Sequence, residues 1–280
     1  MTPSDPRPPS TRPLRCAVAG ASGRMGRTLV EALLAHDDVA LAAAFDVPGA
    51  AGLGRDAAEF LGRRTDVLVT EHWQTALANC DCLIDFTRPE GTLAHLTVCR
   101  ARGINMVVGT TGFDDAGRAA ITEAARDIGI VCAPNMAIGM NVLFHLLDSA
   151  ARALAGFDVE ILELHHRHKV DAPSGTALRL GEIVAAAQGG SLAERAEFAR
   201  HGLTGERRTG SIGFAALRGG DVVGDHTVLF AGTGERIEIT HKAGSRMPYA
   251  LGSLQAARFL AHSGPGLFDM QDVLGLRARP

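Results

Sequence analysis

The stretch Gly20-Ala21-Ser22-Gly23-Arg24-Met25-Gly26 constrains the fold of this chain more than any other. It joins an apolar run, Leu14 to Ala19, to a segment, Arg24 to Leu34, in which Met25, Leu29, Ala32 and Leu33 recur at helical spacing. Glycines between a strand and a helix have a physical job. The first allows the tight turn, the next lets backbone N–H groups approach a pyrophosphate, and the last permits close helix–strand packing. The helix N-terminus favours the anion. Ser22 stands where the commoner GxGxxG spacing has its second glycine, and the chemistry survives that change. Asp46 closes a second apolar run, Val39 to Phe45, where a carboxylate would hydrogen-bond an adenosine ribose. The bland alternative is a structural tight turn. A P-loop fits badly because Arg27 stands at the lysine position. Tyrosine-dependent short-chain reductases are excluded, since the single tyrosine, Tyr249, is followed four residues on by Ser253.

Strand-like and helix-like segments go on alternating. Cys82 to Phe86, Ile104 to Val108 and Ile130 to Ala133 read as strands; Thr92 to Ala101 and Asp114 to Asp127 read as the helices between them. Asp114 or Asp115 is a plausible N-cap for the second helix. This pattern predicts an α/β, Rossmann-like, doubly wound parallel sheet. After about residue 135 it changes. Met140 to Leu154 is an amphipathic helix, and Val159 to Leu164 (VEILEL) reads as an alternating strand with one polar face. Ser174 to Ala187 is helical. Three strands follow, Ser211 to Leu217, Asp221 to Ala231 and Glu235 to Thr240, separated as hairpins by Gly219-Gly220 and Gly232 to Gly234. The expectation is a smaller α+β substrate and oligomerisation domain with an open mixed sheet, largely antiparallel. Tyr249 to Ala261 is a last helix that returns to the first domain. The boundaries expected are 1–13 for a disordered Pro-rich tail, 14–135 for the dinucleotide domain, 136–243 for the second domain and 244–280 for the return.

Composition closes off other classes. With 28 basic and 31 acidic residues and a net charge of −3, the chain lacks the electrostatic footprint of a nucleic-acid binder. Apolar runs are far shorter than the roughly 18 residues a membrane span needs. The N-terminus has no apolar core of a secretory signal. The cysteines number 5, an odd count without a CxxC pair, so neither a disulfide framework nor a zinc site is expected, and a reducing cytoplasm is.

The densest chemistry is His165-His166-Arg167-His168-Lys169, running into Asp171-Ala172-Pro173-Ser174-Gly175-Thr176 at the start of a helix. On an extended backbone His166 and His168 share one face, and His165, Arg167 and Lys169 the other. Only Lys169 and Lys242 among the 28 basic residues are lysines, and an ammonium transfers a proton where a guanidinium effectively cannot. A metal site on His166 and His168 finds no cysteine or carboxylate pair to complete it, so no metal is expected. A solvated basic loop is the second alternative. The third is an anion-binding, proton-donating site, with Gly175 and Thr176 N–H groups offered to a carboxylate. Gly109-Thr110-Thr111 and Ala133-Pro134-Asn135-Met136 lie at strand C-terminal ends, where such sheets bind ligands or simply turn.

Gly20 to Gly26 (GASGRMG), Asp85 to Gly91 (DFTRPEG), Gly109 to Phe113 (GTTGF), His165 to Leu178 (HHRHKVDAPSGTAL) and Thr240 to Ala243 (THKA) resemble the 4-hydroxy-tetrahydrodipicolinate reductase family. The resemblance runs from about Leu14 to Leu276. It implies a cytoplasmic, homotetrameric, two-domain reductase of the diaminopimelate–lysine pathway that uses NADH or NADPH. It also implies His165 as proton donor and acceptor and Lys169 as proton donor. His166, Gly175 and Thr176 would hold the dicarboxylate substrate. Gly20, Ala21, Ser22, Gly23, Arg24, Met25, Asp46, Gly109, Thr110, Thr111, Ala133, Pro134, Asn135 and Met136 would hold the cofactor. Two positions depart from the family pattern. Val47 stands where many members carry a basic residue after the acidic one, which favours NADH over NADPH; Met136-Ala137 replaces a Phe-Ser pair. The alternatives from other classes are another Rossmann oxidoreductase, such as a semialdehyde dehydrogenase with a nucleophilic cysteine, and a non-catalytic dinucleotide sensor.

Overall fold

A computed structural model describes residues 12–277; the expected tail, apart from Arg12 and Pro13, lies outside the described residues. The chain divides into two compact units, one of residues 1–138 with 247–280, the other of residues 139–246.

The first unit begins with β1 (Leu14–Ala19), α1 (Arg24–Leu33), β2 (Val39–Phe45), β3 (Val69–Thr70) and a single turn, α2 (Trp73–Ala76). It continues through β4 (Cys82–Asp85), α3 (Pro89–Arg102), β5 (Asn105–Val108), α4 (Asp115–Ala124) and β6 (Gly129–Cys132). Asp114 caps α4, its carboxylate accepting from the Gly117 N–H at 2.7 Å. The strands form one parallel sheet in the order β12-β6-β5-β4-β1-β2-β3, β12 coming from the C-terminal segment. The order reverses between β1 and β4, the point at which doubly wound sheets open a crevice for ligands. Two short strands escape sequence periodicity. β3 has two residues and β12 three, too few to show a period.

The sheet is buried on both faces, which is why its strands read as apolar runs rather than alternating ones. Cys16, Val18, Ile84 and Val107 face a core shared with Leu29 and Leu33 of α1. Ala17, Leu83, Met106 and Val108 face a second core with Leu96 and Ile121. The first core is completed by α8 (Met247–His262), whose Leu254, Ala257 and Leu260 join it. A Cβ on Gly252 of that helix would stand 1.8 Å from the Met136 carbonyl oxygen, so only glycine allows this packing.

The second unit holds α5 (Ile138–Ala153, its first residue in the first unit), β7 (Asp158–His165), α6 (Gly175–Ala187), α7 (Leu192–Arg195), β8 (Ala196–Glu197), β9 (Ile212–Arg218), β10 (Gly224–Ala231) and β11 (Arg236–Ala243). Its open sheet runs β11-β10-β7-β9-β8. Pairs β11–β10 and β10–β7 are antiparallel, β7–β9 and β8–β9 parallel. Two sequence expectations are corrected here. The sheet is evenly mixed rather than largely antiparallel, and Gly219-Gly220 is no hairpin, because β7 lies between β9 and β10. Instead that turn docks on the end of β7, Gly219 N–H donating to the His165 carbonyl at 2.9 Å and Arg167 N–H to the Gly220 carbonyl at 3.2 Å. A third correction concerns VEILEL. Val159, Ile161, Glu163 and His165 are the buried set, whereas Leu162 and Leu164 lie on the opposite, more open face. Glu160 and Glu163 therefore point to opposite sides, and no face of β7 is simply polar.

The final segment of the chain, β12 (Gly266–Phe268) and α9 (Met270–Val273), belongs to the first unit, as does α8. Among the described residues no helix is long and apolar enough to cross a membrane.

Candidate active site

In the first unit the glycine turn lies at the C-terminal end of β1. Gly20 has φ +66°, a left-handed conformation that side chains other than glycine's rarely adopt. A Cβ on Gly26 would sit 2.1 Å from the Gly20 carbonyl oxygen, so α1 can approach the turn only as glycine. The Asp46 carboxylate accepts from the N–H groups of Ser22 and Val47, each at 2.8 Å, which ties the turn to the end of β2. The Ser22 hydroxyl is buried without a hydrogen-bond partner, and a Cβ on Gly52 would meet it at 2.3 Å.

A threonine chain links the turn to the next loops. Thr87 lies against Gly20, a Cβ at the latter being 3.3 Å from Thr87 Cγ2. Thr87 donates to the buried Asp85 carboxylate at 2.6 Å, and Thr92 donates to Thr110 at 2.8 Å. His95 Nδ1 sits 2.7 Å from the other Asp85 oxygen. Gly109 is another forced glycine, with Phe86 packed where its Cβ would be. Thr110, Thr111, Ala133 and Pro134 line one cavity of about 560 Å³ together with Phe268 and Arg277. Asn135 is buried and turns inward to accept from the Ala137 N–H at 2.9 Å. The Met136 side chain is fully inside the core, so it offers no side-chain contact to a cofactor. Glycine backbone at a helix N-terminus, a carboxylate at the end of β2 and an orphaned hydroxyl at the turn are the donor and acceptor set a dinucleotide requires.

In the second unit the chain stays extended only to His165. It then turns at Arg167 and His168, with Lys169 N–H donating to the His166 carbonyl at 3.1 Å. The expected division of the cluster between two strand faces therefore ends at His165. The imidazoles of His166 and His168 still face each other at 6.3 Å. His165 is 8% exposed, with Nδ1 2.5 Å from Glu163 Oε2 and its ring edge-on to His226 at 5.0 Å. Lys169 Nζ donates to both oxygens of Asp171, at 2.8 and 2.9 Å. Burial raises the Asp171 carboxyl, but the Lys169 ammonium, a backbone hydrogen bond and the Arg218 charge together hold the group below the usual carboxylate range. Gly175 and Thr176 form the first turn of α6, capped by the Ser174 hydroxyl, which accepts from the Ala177 N–H at 3.1 Å.

Sequence reasoning missed three residues in this cluster. Glu163, Arg218 and His226 come from β7, β9 and β10, and 63 residues of chain separate the first from the last. Only the slip in the VEILEL alternation, which turns Glu163 inward, carried a signal. Among the described residues no group of three or more His, Cys, Asp or Glu is placed to hold a metal ion. Burial pushes the thiols of Cys80 and Cys132 up to about 11 and those of Cys16 and Cys99 to about 12. Cys82, wholly buried, is likewise raised well above the ordinary thiol value by burial. None is the low-pKa thiolate a semialdehyde dehydrogenase requires.

A doubly wound dinucleotide unit, joined in one chain to a histidine–lysine cluster whose first member, His165, is buried, defines a nicotinamide-dependent oxidoreductase. The match to known proteins is specific. Residues 14–136 fit the family model for the dihydrodipicolinate reductase N-terminus, and residues 139–274 fit that for its C-terminus. The chain is 63% identical over 264 residues to a 4-hydroxy-tetrahydrodipicolinate reductase of Dechloromonas aromatica, covering 94% of this chain and 98% of that protein. It is also 63% identical over 266 residues to the reductase of the same name from Aromatoleum aromaticum, covering 95% and 96%. Its fold matches that of the dipicolinate-bound dihydrodipicolinate reductase from Paenisporosarcina sp. TG-14 with a TM-score of 0.73 at 24% identity, over 93% of this chain and 98% of that one. The chain belongs to the dihydrodipicolinate reductase family.

Proposed function

We propose that this chain converts 4-hydroxy-tetrahydrodipicolinate to tetrahydrodipicolinate in the diaminopimelate–lysine pathway, with His165 and Lys169 as its proton-handling catalytic residues. The observation that carries the reading is the placement of His165 at the end of β7 and of Lys169 on the short loop that runs from there into the first turn of α6. The reaction consumes a hydride and a proton and releases water. The bound dinucleotide supplies the hydride; this chain must supply the rest. Hydride addition leaves electron density on the conjugated imine, which a proton from His165 Nε2 or Lys169 Nζ neutralises. The dicarboxylate needs fixed positive partners. His166 and the Gly175 and Thr176 N–H groups, aligned with the positive end of α6, provide them. The cofactor is held by Gly20 to Met25, Asp46, Gly109 to Thr111 and Ala133 to Asn135. Oxidation of NADH dependent on substrate made by the preceding synthase is the test. Full oxidation without that substrate, or none with it, overturns the reading and restores the dehydrogenase or sensor alternatives.

NADH is the preferred cofactor in this proposal, with NADPH usable. Asp46 accepts from ribose hydroxyls, whereas a 2′-phosphate would bring like charge beside it. Two such charges about 4 Å apart repel by roughly 4 kcal/mol at an effective dielectric near 20. Val47, 67% exposed, offers no offset. Arg24 is exposed, and Arg27 lies with its guanidinium carbon 5.4 Å above the Phe60 ring, so the pull on a phosphate is indirect. Val47→Arg is expected to raise kcat/KM for NADPH more than for NADH at fixed salt. A wild type that favours NADPH tenfold, unaltered by the substitution, would place selectivity in the arginines instead.

The second unit supports the homotetramer. One sheet face carries Leu162, Leu164, Ala215, Leu217 and Leu229 in register, with Leu217 49% exposed. Thr227 and Thr240 pair beside them at 3.0 Å. The same face also carries Glu160, Asp225, Glu238 and Lys242, so the leucine patch has charged neighbours, as the core of an association surface does. Light scattering is expected to give four chains per particle, and Leu162→Glu to give a smaller particle. A monomeric wild type removes this part of the proposal. No disulfide joins the five cysteines, which suits a cytoplasmic reaction.

A further inference from the structure

We propose that Glu163, clamped by Arg218, is a positioning residue that keeps the neutral His165 ring protonated on Nδ1, so that Nε2 alone exchanges protons with substrate. This rests on the reading of His165 as the proton donor, and deepens it by naming the nitrogen and what selects it.

The geometry is one of saturation. Glu163 is 2% exposed on β7, two residues before His165 and therefore on the same strand face. Its Oε2 faces His165 Nδ1 at 2.5 Å and Arg218 Nη1 at 2.8 Å. Its Oε1 accepts from Arg218 Nη2 at 2.8 Å and from the Ser174 N–H at 3.1 Å. Arginine and a backbone N–H only donate, so Glu163 accepts in three of the four contacts, and the guanidinium clamped on both of its oxygens keeps the carboxylate ionised. The fourth is then a donation from His165 Nδ1–H. Burial raises the Glu163 carboxyl, but Arg218 and His165 outweigh it and hold the group below the ordinary glutamate range.

The remaining neighbours point the same way. His226 on β10 meets His165 edge-on; burial foremost pushes its pKa down to about 3, so it adds no charge beside the ring. Its Nε2 is 3.0 Å from the Ser174 hydroxyl. Gly224, also on β10, keeps the other side of His165 open, since a Cβ there would stand 3.0 Å from Nε2. Arg218 additionally donates to the Asp171 carbonyl at 2.6 Å, and Asp171 holds Lys169. One guanidinium thus braces the loops behind both proton donors. The charged or titratable groups around His165 are Glu163 on its own strand, Arg218 on β9, His226 on β10 with His241 of β11 beyond it, and Lys169 and Asp171 in the following loop.

The experiment uses the full chain with its histidines labelled with 15N, the His165 signal being assigned by its loss in His165→Asn. Neutral His165 in the wild type is expected to be the Nδ1–H form. In Glu163→Gln the two ring forms should mix, kcat should fall about 10²-fold or more, as loss of an orienting carboxylate does to a general base, and the KM values should stay within about twofold. Glu163→Asp, which keeps the charge, should recover part of kcat. A wild-type ring protonated on Nε2 overturns the inference, and that measurement needs no variant to fold. So does a folded Glu163→Gln with kcat within threefold of wild type, or one that loses kcat with the Nδ1–H form intact. If His165→Asn itself keeps full turnover, it is the proton-donor reading that fails, whichever tautomer the wild type shows.

Discussion

His165→Ala is expected to lower kcat by about 10²- to 10⁴-fold, the usual contribution of a positioned acid–base group. The ring is buried and its surroundings are specialised. A carboxylate lies on one nitrogen, a second imidazole at its edge, and a glycine opposite the other nitrogen. Its neighbours on β7 are committed elsewhere: Leu164 is apolar, Glu163 is saturated by Arg218, Ser174 and His165 itself, and Glu160 is paired with Arg200 and Arg207. NADH affinity should remain within about twofold of wild type, because the dinucleotide residues belong to the other unit. Steady-state kinetics and cofactor titration on the same preparation check this. Full turnover in the variant would remove His165 from the reaction.

Gly26→Ala should be nearly as damaging by a different route. The added Cβ would fall 2.1 Å from the Gly20 carbonyl oxygen and 2.7 Å from Ala21 Cα. Both obstacles are backbone, so no rotamer change relieves them. Overpacking of this kind costs about 1–3 kcal/mol, which for a unit of this size lowers Tm by roughly 2–12 °C. The shift must also displace the turn whose N–H groups are proposed to hold the pyrophosphate, so NADH binding should weaken at least about tenfold. Gly156→Ala is the control, since no atom lies within 4 Å of the Cβ it adds. Calorimetry with cofactor titration reads both effects. A Gly26→Ala protein with the Tm and NADH affinity of the control would mean that α1 has room to retreat.

The dinucleotide unit was readable because its chemistry is local. Gly20 to Gly26 is seven consecutive residues set between an apolar run and a helical spacing, and Asp46 closes the next apolar run 20 residues after Gly26. The cluster of the second unit was half readable. His165 and Lys169 advertise themselves in a dense run, and the helix start at Gly175 follows from Ser174 as a cap. Arg218 and His226 did not, because what brings them to His165 is the insertion of β7 between β9 and β10. The glycine pair at 219–220 suggests a hairpin, which would have set those two strands side by side. Glu163 was hidden differently: a glutamate in an alternating strand reads as solvated until its phase is set against that of its apolar neighbours. Met136 was expected among the cofactor residues; its side chain is buried in the core and its carbonyl packs against Gly252, which leaves its backbone as the part that could serve there.

The parallel sheet takes its edge strand, β12, and its covering helix, α8, from the far end of the chain. During synthesis this sets an order. When residue 138 has emerged, the dinucleotide unit holds six of its seven strands but has nothing from α8 to cover Leu29, Leu33 and Val18. Residues 139–246 must then be made, on the order of 5–20 s at typical elongation rates. The inserted unit can therefore complete itself on the ribosome first, while the unit that begins the chain waits with one apolar face uncovered. Nascent-chain intermediates arrested in this window are the ones a chaperone would meet, and truncation before residue 247 would leave the dinucleotide unit permanently in that state.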